Sequence, residues 1–343
     1  MTRIAIGLVV VVLTAVSGAM GQVVEVAPSG AIVVAHDGVI EMYDGSGHRR
    51  LWQVEGVRHP GAIAIGEKRI AVLDPLNDAI RVVGLDGGNA ATLASRGSPV
   101  AAEWSGDALM VLDRDAGTLT RIEADGARAS IATGIYPDSM RKMDGKIYVY
   151  SRGDGLFQEI STKPLRVERS MRIEPFASDL EVDQHFAYFV YPTKRRIRSL
   201  ELKTFLEGDQ SKVAGVPADL DAGTRGTLMT ARLLSIADAA GKRVLRIEVP
   251  QSTGAAFGRG FLRGLLGLGL FNGSAVEFPS AVDRVASRGR LVLAYDSLRG
   301  TLWSVVGRTV TPIATGISPR AFAFTREGVV WWDGKLMGGK IEE

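Results

Sequence analysis

The sequence predicts an all-β protein, a β-propeller built from four-stranded antiparallel blades. Three observations predict it. Prolines recur at 60, 99, 137, 175, 217, 279 and 319, at spacings of 39, 38, 38, 42, 62 and 40 residues. Between successive prolines the chain writes four short runs rich in Val, Ile, Leu and Ala, parted by Gly, Asp, Asn or Ser. The 41 glycines among 343 residues, about one in eight, favour turns over helices.

Each unit follows the same order. The second reads "GAIAIG", "EKRIAVLD", "PLNDAIRVVGLDG" and "GNAATLASRGSP"; the third and seventh repeat the grammar. Runs of four to seven residues bounded by turn chemistry are strands in hairpins, and their β-branched content agrees. Four strands per unit of about 40 residues is the arithmetic of a propeller. A single meander cannot cover both of its apolar faces; stacking the units around a ring covers both. The second strands, "IAVL", "LMVL", "IYVY" and "LVLA", are therefore apolar throughout instead of alternating. Asp74, Asp113, Asp238 and Asp296 end these strands, where a carboxylate accepts N–H bonds from residues just ahead and shapes the turn.

The apolar second strand with its terminal Asp, the short Asn/Asp/Gly turn and the "AIRVVGLDG" third strand resemble the repeats of NHL and YVTN-type propellers. The resemblance spans 22–343 and is to a repeat grammar, not a catalytic signature. It departs at Ser151, which stands where the Asp is expected, and at "YPTKRR" in the fifth unit.

Gln22 to Pro60 forms a first full unit, and six proline-to-proline units follow. That favours seven blades. Eight is the alternative, with "RAFAFTRE", "GVVWWDG" and "KLMGGKIEE" as a three-stranded last blade. Either way the N- and C-terminal strands are expected to pair, because an unclosed ring exposes sheet edges.

Residues 1–21 are read as a secretory leader: Arg3, then the 13-residue apolar run Ile4 to Val16, then small residues at Ala19 and Gly21. The run is short for a membrane span of about 20 residues. The rest, 22–343, is one propeller domain, exported to the periplasm or beyond. A net charge of +3 gives no basic patch and no expectation of nucleic acid. The absence of cysteine excludes disulfides, thiolate metal sites and a Cys nucleophile.

Propeller sites conventionally sit on the face carrying the turns between second and third strands, as the resemblance implies. The candidates there are His36, Asp74, Asp78, Asp113, Asp115, Arg152, Asp154, Arg195, Asp238, Asp296 and Arg299. Converging carboxylates at the pore would suit a hard divalent cation; the plainer reading is that they close turns. No other cofactor is implied. The four histidines form no zinc pattern, and there is no G-x-S-x-G elbow or phosphate loop.

The sixth unit carries a Gly/Leu/Phe-rich insertion, 252–278, with seven glycines and two arginines. Phe257, Phe261, Leu262, Leu265, Leu266 and Phe271 give it an apolar surface suited to a partner or a membrane surface. The function expected is a monomeric, non-enzymatic, exported propeller that binds a protein or other ligand through its loop face, aided by the insertion. The alternative is a propeller hydrolase or lactonase whose metal is held by pore-facing Asp residues. A quinone-dependent dehydrogenase would need a repeated tryptophan-docking motif, which the sequence lacks.

Overall fold

In the computed structural model, which describes residues 22–212, 217–222, 231–238, 242–250, 275–288, 291–306, 309–317, 322–325, 328–333 and 335–340, the strand pattern is the predicted one. Seven four-stranded antiparallel sheets follow one another along the chain, each in simple meander order. They run Gln22–Glu55, Ala62–Ala94, Pro99–Ala132, Pro137–Arg172, Asp179–Lys212, Pro217–Glu277 and Arg284–Ala314. The last described residues, Phe322–Lys340, make a three-stranded eighth sheet. The leader at 1–21 and most of the insertion, 251–274, lie outside the described residues.

First strands of neighbouring blades pack against one another along the inner wall of the ring, from blade eight through blade one to blade seven. Three of the repeating prolines, Pro99, Pro137 and Pro217, are the first residue of an inner strand. Proline fits there because the ladder has not yet begun to need its missing N–H. The second strands are buried on both faces, as their composition requires: Ala108–Asp113 and Leu291–Asp296 are buried at every position. "RIAVLD" is the second strand of blade two and pairs with "AIRVVG", Ala79–Gly84.

The core is correspondingly a series of apolar layers between blades. Val33, Ile40, Ile70 and Val83 join blades one and two. Leu73, Ile80, Leu109 and Trp104 join two and three. Tyr150, Phe157, Leu180 and Phe189 join four and five. Each such buried side chain contributes about 1.5–3 kcal/mol relative to exposure.

The ring closes differently from expectation. The terminal strands meet, yet among the described residues they do not pair: there Gln22–Val26 is hydrogen-bonded to Ile32–His36, and Gly328–Trp332 to its own hairpin neighbours. Closure is instead face to face, with Val24, Ile32 and Val34 of blade one against Val330 and Trp332. His36 stacks on Trp332 with ring centroids 4.1 Å apart. The physical reason is that the C-terminal segment supplies three strands of its own. It thus presents a full sheet face, and no strand need be shared.

Candidate functional site

The turns between second and third strands lie on one face, together with the links that lead to the next inner strand. The predicted carboxylates on this face mostly serve the backbone. Asp74 is buried and accepts from the His59 N–H at 3.3 Å, the Asn77 N–H at 3.2 Å and the Asn77 amide at 2.8 Å. Asp296, also buried, accepts from Leu298 and Arg299 N–H at 3.0 and 3.1 Å. Asp78 accepts from the Ser98 N–H at 2.5 Å, and Asp154 from Ile135 N–H at 3.1 Å and from Arg172. Asp113 is buried, and that burial pushes its carboxyl up to about 6. Asp115, Arg195 and Arg299 are exposed, and Arg195 holds a left-handed backbone after a short 3-10 turn at Pro192–Lys194. Asp238 ends its strand as expected, and Arg152 lies 3.8 Å from Asp138.

His36 does not stand alone. Its Nε2 lies 3.3 Å from Glu41, which also accepts from Tyr43 Oη at 2.8 Å and Arg50 Nη1 at 2.6 Å. Burial opposes ionisation of Glu41, but these three donors together hold its carboxyl below the usual range.

A different set of residues makes this face distinctive. Eight large apolar side chains are exposed among the described residues. Five of them, Leu76, Ile135, Tyr136, Phe176 and Leu298, belong to its turns and links; the other three lie on outer strands. Tyr136 and Phe176 have φ of 55° and 66°, a left-handed backbone that costs a non-glycine residue of order 1–3 kcal/mol. Arg152 fixes both: its N–H donates to the Tyr136 carbonyl at 2.9 Å, and its carbonyl accepts from the Phe176 N–H at 3.0 Å. The next N–H, of Gly153, donates to the Ile135 carbonyl at 2.8 Å. Two aromatics, an isoleucine and an arginine are thereby locked side by side over blades four and five. Sequence reasoning singled out only Arg152; the missed signal was an aromatic beside a repeating proline, in "GIYP" and "EPFA".

Under this face the inner wall carries a tier of charge. At one register of the first strands stand Glu25, Glu103, Arg141, Glu181 and Asp221 in blades one, three, four, five and six. Alanines 64, 286 and 323 hold the same register in blades two, seven and eight. Arg141 donates to Glu181 at 2.7 Å and reaches Asp179 at 3.5 Å. Its burial would favour the neutral form, but the two carboxylates hold it firmly charged. Glu25 and Glu103 make no ion pair of this kind among the described residues. Enclosure by protein, followed by the charge of Glu103, pushes the Glu25 carboxyl up to about 7, although water reaches it. Enclosure also raises Glu103, against the pull of Lys142 and Arg141. Among the described residues no three His, Asp or Glu side chains converge to hold a metal.

No family model matches the chain, and no curated protein matches it in sequence. Solved structures match its fold. A computationally designed protein, Ika8, superposes with a TM-score of 0.72 at 13% identity, over 94% of this chain and 97% of that one. BamB from Moraxella catarrhalis gives 0.65 at 13% identity, over 93% and 96%. Virginiamycin B lyase from Staphylococcus aureus gives 0.57 at 10% identity, over 81% and 92%. These likenesses establish a β-propeller, and the NHL and YVTN resemblance rests on the repeat pattern alone.

Proposed function

We propose that this is an exported, non-enzymatic propeller that binds a protein partner through its loop face. The observation that carries the reading is the apolar arc of Ile135, Tyr136 and Phe176 around Arg152. Aromatic residues and arginine are the residue types that dominate binding energy at interfaces. Two of these side chains are held outward by a backbone conformation that costs stability, which a purely structural loop would avoid by using glycine. Residues 1–21 supply the export reading. Among the likenesses is a propeller, BamB, whose fold is covered almost end to end.

The test is capture from an envelope extract with three baits: the full chain, Tyr136→Ala/Phe176→Ala, and a chain whose residues 254–273 are replaced by a Gly-Ser linker. A partner held by the arc is lost from the second bait. Identical captures from the first two end this reading, and a partner lost only from the third assigns binding to the insertion.

A second reading keeps the metal-dependent hydrolase or lactonase. The specific feature favouring it is the mutual influence of Glu25 and Glu103 on the inner strands, where the charge of Glu103 helps to raise Glu25, and not the loop-face aspartates. Metal analysis of the purified protein, with and without Glu25→Gln/Glu103→Gln, decides it. A metal content that does not fall in the variant excludes this site.

A further inference from the structure

The loop face divides into two unlike halves. In blades eight, one, two and three, every turn between second and third strands carries an exposed carboxylate: Asp333, Asp37, Asp78 and Asp115. Cations are interleaved with them, at Lys335, Arg58, Arg96 and Arg114. In blades four to seven the same turns present Arg152, Lys194, Arg195, Lys242 and Arg299, and among the described residues no exposed carboxylate stands with them. These four blades are consecutive neighbours, since their inner strands pack in that order.

The carboxylates that this half does contain serve the protein itself. Glu174 meets Lys194, Arg196 and Arg198. Asp154 accepts from Arg172 at 3.1 Å, Asp283 from the Ser297 N–H at 2.9 Å, and buried Asp296 from the N–H groups of Leu298 and Arg299. Asp238 ends its strand opposite Arg243. Arg195 and Arg299 are exposed and make no ion pair among the described residues. On the opposite face, by contrast, exposed Arg49 and Lys68 lie 3.7 and 3.6 Å from Asp44 and Asp107. The cationic half also holds four of the five exposed large apolar residues of the loop face. Ile135, Tyr136 and Phe176 surround Arg152, and Leu298, 87% exposed, stands beside Arg299.

We infer that blades four to seven take an acidic segment of the protein partner, one whose carboxylates alternate with aromatic or aliphatic side chains. The inference rests on the loop-face reading above and adds the partner's chemistry and its place on the ring. Carboxylates suit it because a free guanidinium group matches them with two parallel N–H donors. Exposed ion pairs are weak singly, so the segment must also cover the apolar residues, where the larger share of binding energy lies. A basic segment would be repelled by this half. The exposed aspartates of blades eight to three would repel the end of an acidic one, which confines it to blades four to seven.

Three labelled peptides of about twelve residues, about 40 Å when extended, test this against the full chain by fluorescence anisotropy. The first alternates Glu with Phe and Leu, the second has Gln for every Glu, and the third has Ser for every Phe and Leu. The first should bind saturably and at least about tenfold tighter than either control. Its affinity should fall at least about tenfold between about 0.01 and 1 M salt, as the screening length drops from about 30 to 3 Å. Arg195→Glu/Arg299→Glu should weaken it by about tenfold or more at low salt, with the unfolding midpoint unchanged. Equal affinity for the Glu and Gln peptides on the unaltered protein, or none for either, overturns the inference, whatever the folding of the variant. Sedimentation with phosphatidylglycerol vesicles, lost in that variant and without peptide binding, overturns it in favour of an anionic membrane. In the envelope capture, a partner lost from Tyr136→Ala/Phe176→Ala but kept by Arg195→Glu/Arg299→Glu overturns it and leaves the loop-face reading intact.

Discussion

The two sides of the ring meet the same structural demand differently. Between blades four and five, two tyrosines and three cations converge on one residue, Glu174. Tyr150 and Tyr191 both donate to the Glu174 carbonyl, at 3.0 and 2.7 Å, and the Glu174 carboxylate meets Lys194, Arg196 and Arg198. Phe157 packs edge-on to Phe189 at 5.2 Å and stacks on Phe205 at 5.5 Å. Around blade eight the buried Nε1 groups of Trp331 and Trp332 have no acceptor among the described residues, and the inner strands of blades one and three carry Glu25 and Glu103, whose carboxyls are both raised. One side joins its blades through an aromatic cluster and a shared carboxylate, the other through an aliphatic and indole layer beside an uneven tier of charge.

That contrast can be broken at its strongest point first. Phe157→Ala should cost about 3–5 kcal/mol, because a fully buried ring leaves a cavity that flanking sheets cannot close. Chemical denaturation measures it, and a loss under 1 kcal/mol would mean that this interface is no better packed than the seam. Arg141→Met should cost about 1.5–3 kcal/mol, since it leaves Asp179 and Glu181 facing each other. Its effect should shrink in high salt, because Arg141 is partly exposed.

Smaller effects sharpen the comparison. Phe176→Gly should leave stability unchanged or raise it by up to about 1 kcal/mol, relief of the left-handed strain being offset by glycine entropy. The same change should weaken partner binding at least tenfold. A clear loss of stability would mean the ring is a packing element and not a contact.

The smallest expected effect is a pH dependence whose sign is set by Glu25. Its folded carboxyl titrates at about 7, against 4.5 ordinarily. The folded state therefore holds a proton that the unfolded chain has lost between those values. Stability should fall as pH rises through that window and level off above about 7. Glu25→Gln should flatten the difference between denaturation midpoints at pH 5 and pH 8. Solvent access makes the effect modest, and identical slopes in both proteins would show Glu25 to be an ordinary carboxylate.

The scaffold was legible in the sequence because burial on both faces leaves a continuous apolar run. "RIAVLD", "ALMVLD" and "LVLAYD" admit little other reading, and the repeating prolines fall at the start of an inner strand or two to five residues before it. The closure was not legible. Pairing and face packing of the termini place the same apolar letters in the same order, and only the register distinguishes them. Nor was the channel tier: a lone Glu25 within an apolar strand, or Arg141 among Asp138, Ser139 and Lys142, looks like an ordinary outward position until the inner strands are aligned around an axis. Tyr136 and Phe176 were within reach, because each lies next to a proline already used to measure the repeat.

The geometry of blade six has a mechanical consequence. Its third strand, Arg243–Pro250, starts at the loop face and ends at the opposite rim, and the chain rejoins the blade at Ala275 beside Leu245. Eight extended residues span about 25 Å. Anything gripping residues 251–274 near their departure point would thus be kept about that far from whatever sits on Tyr136 and Phe176, with a stiff β wall between them. The ring would then serve as a fixed-length strut, holding two bodies apart as well as together.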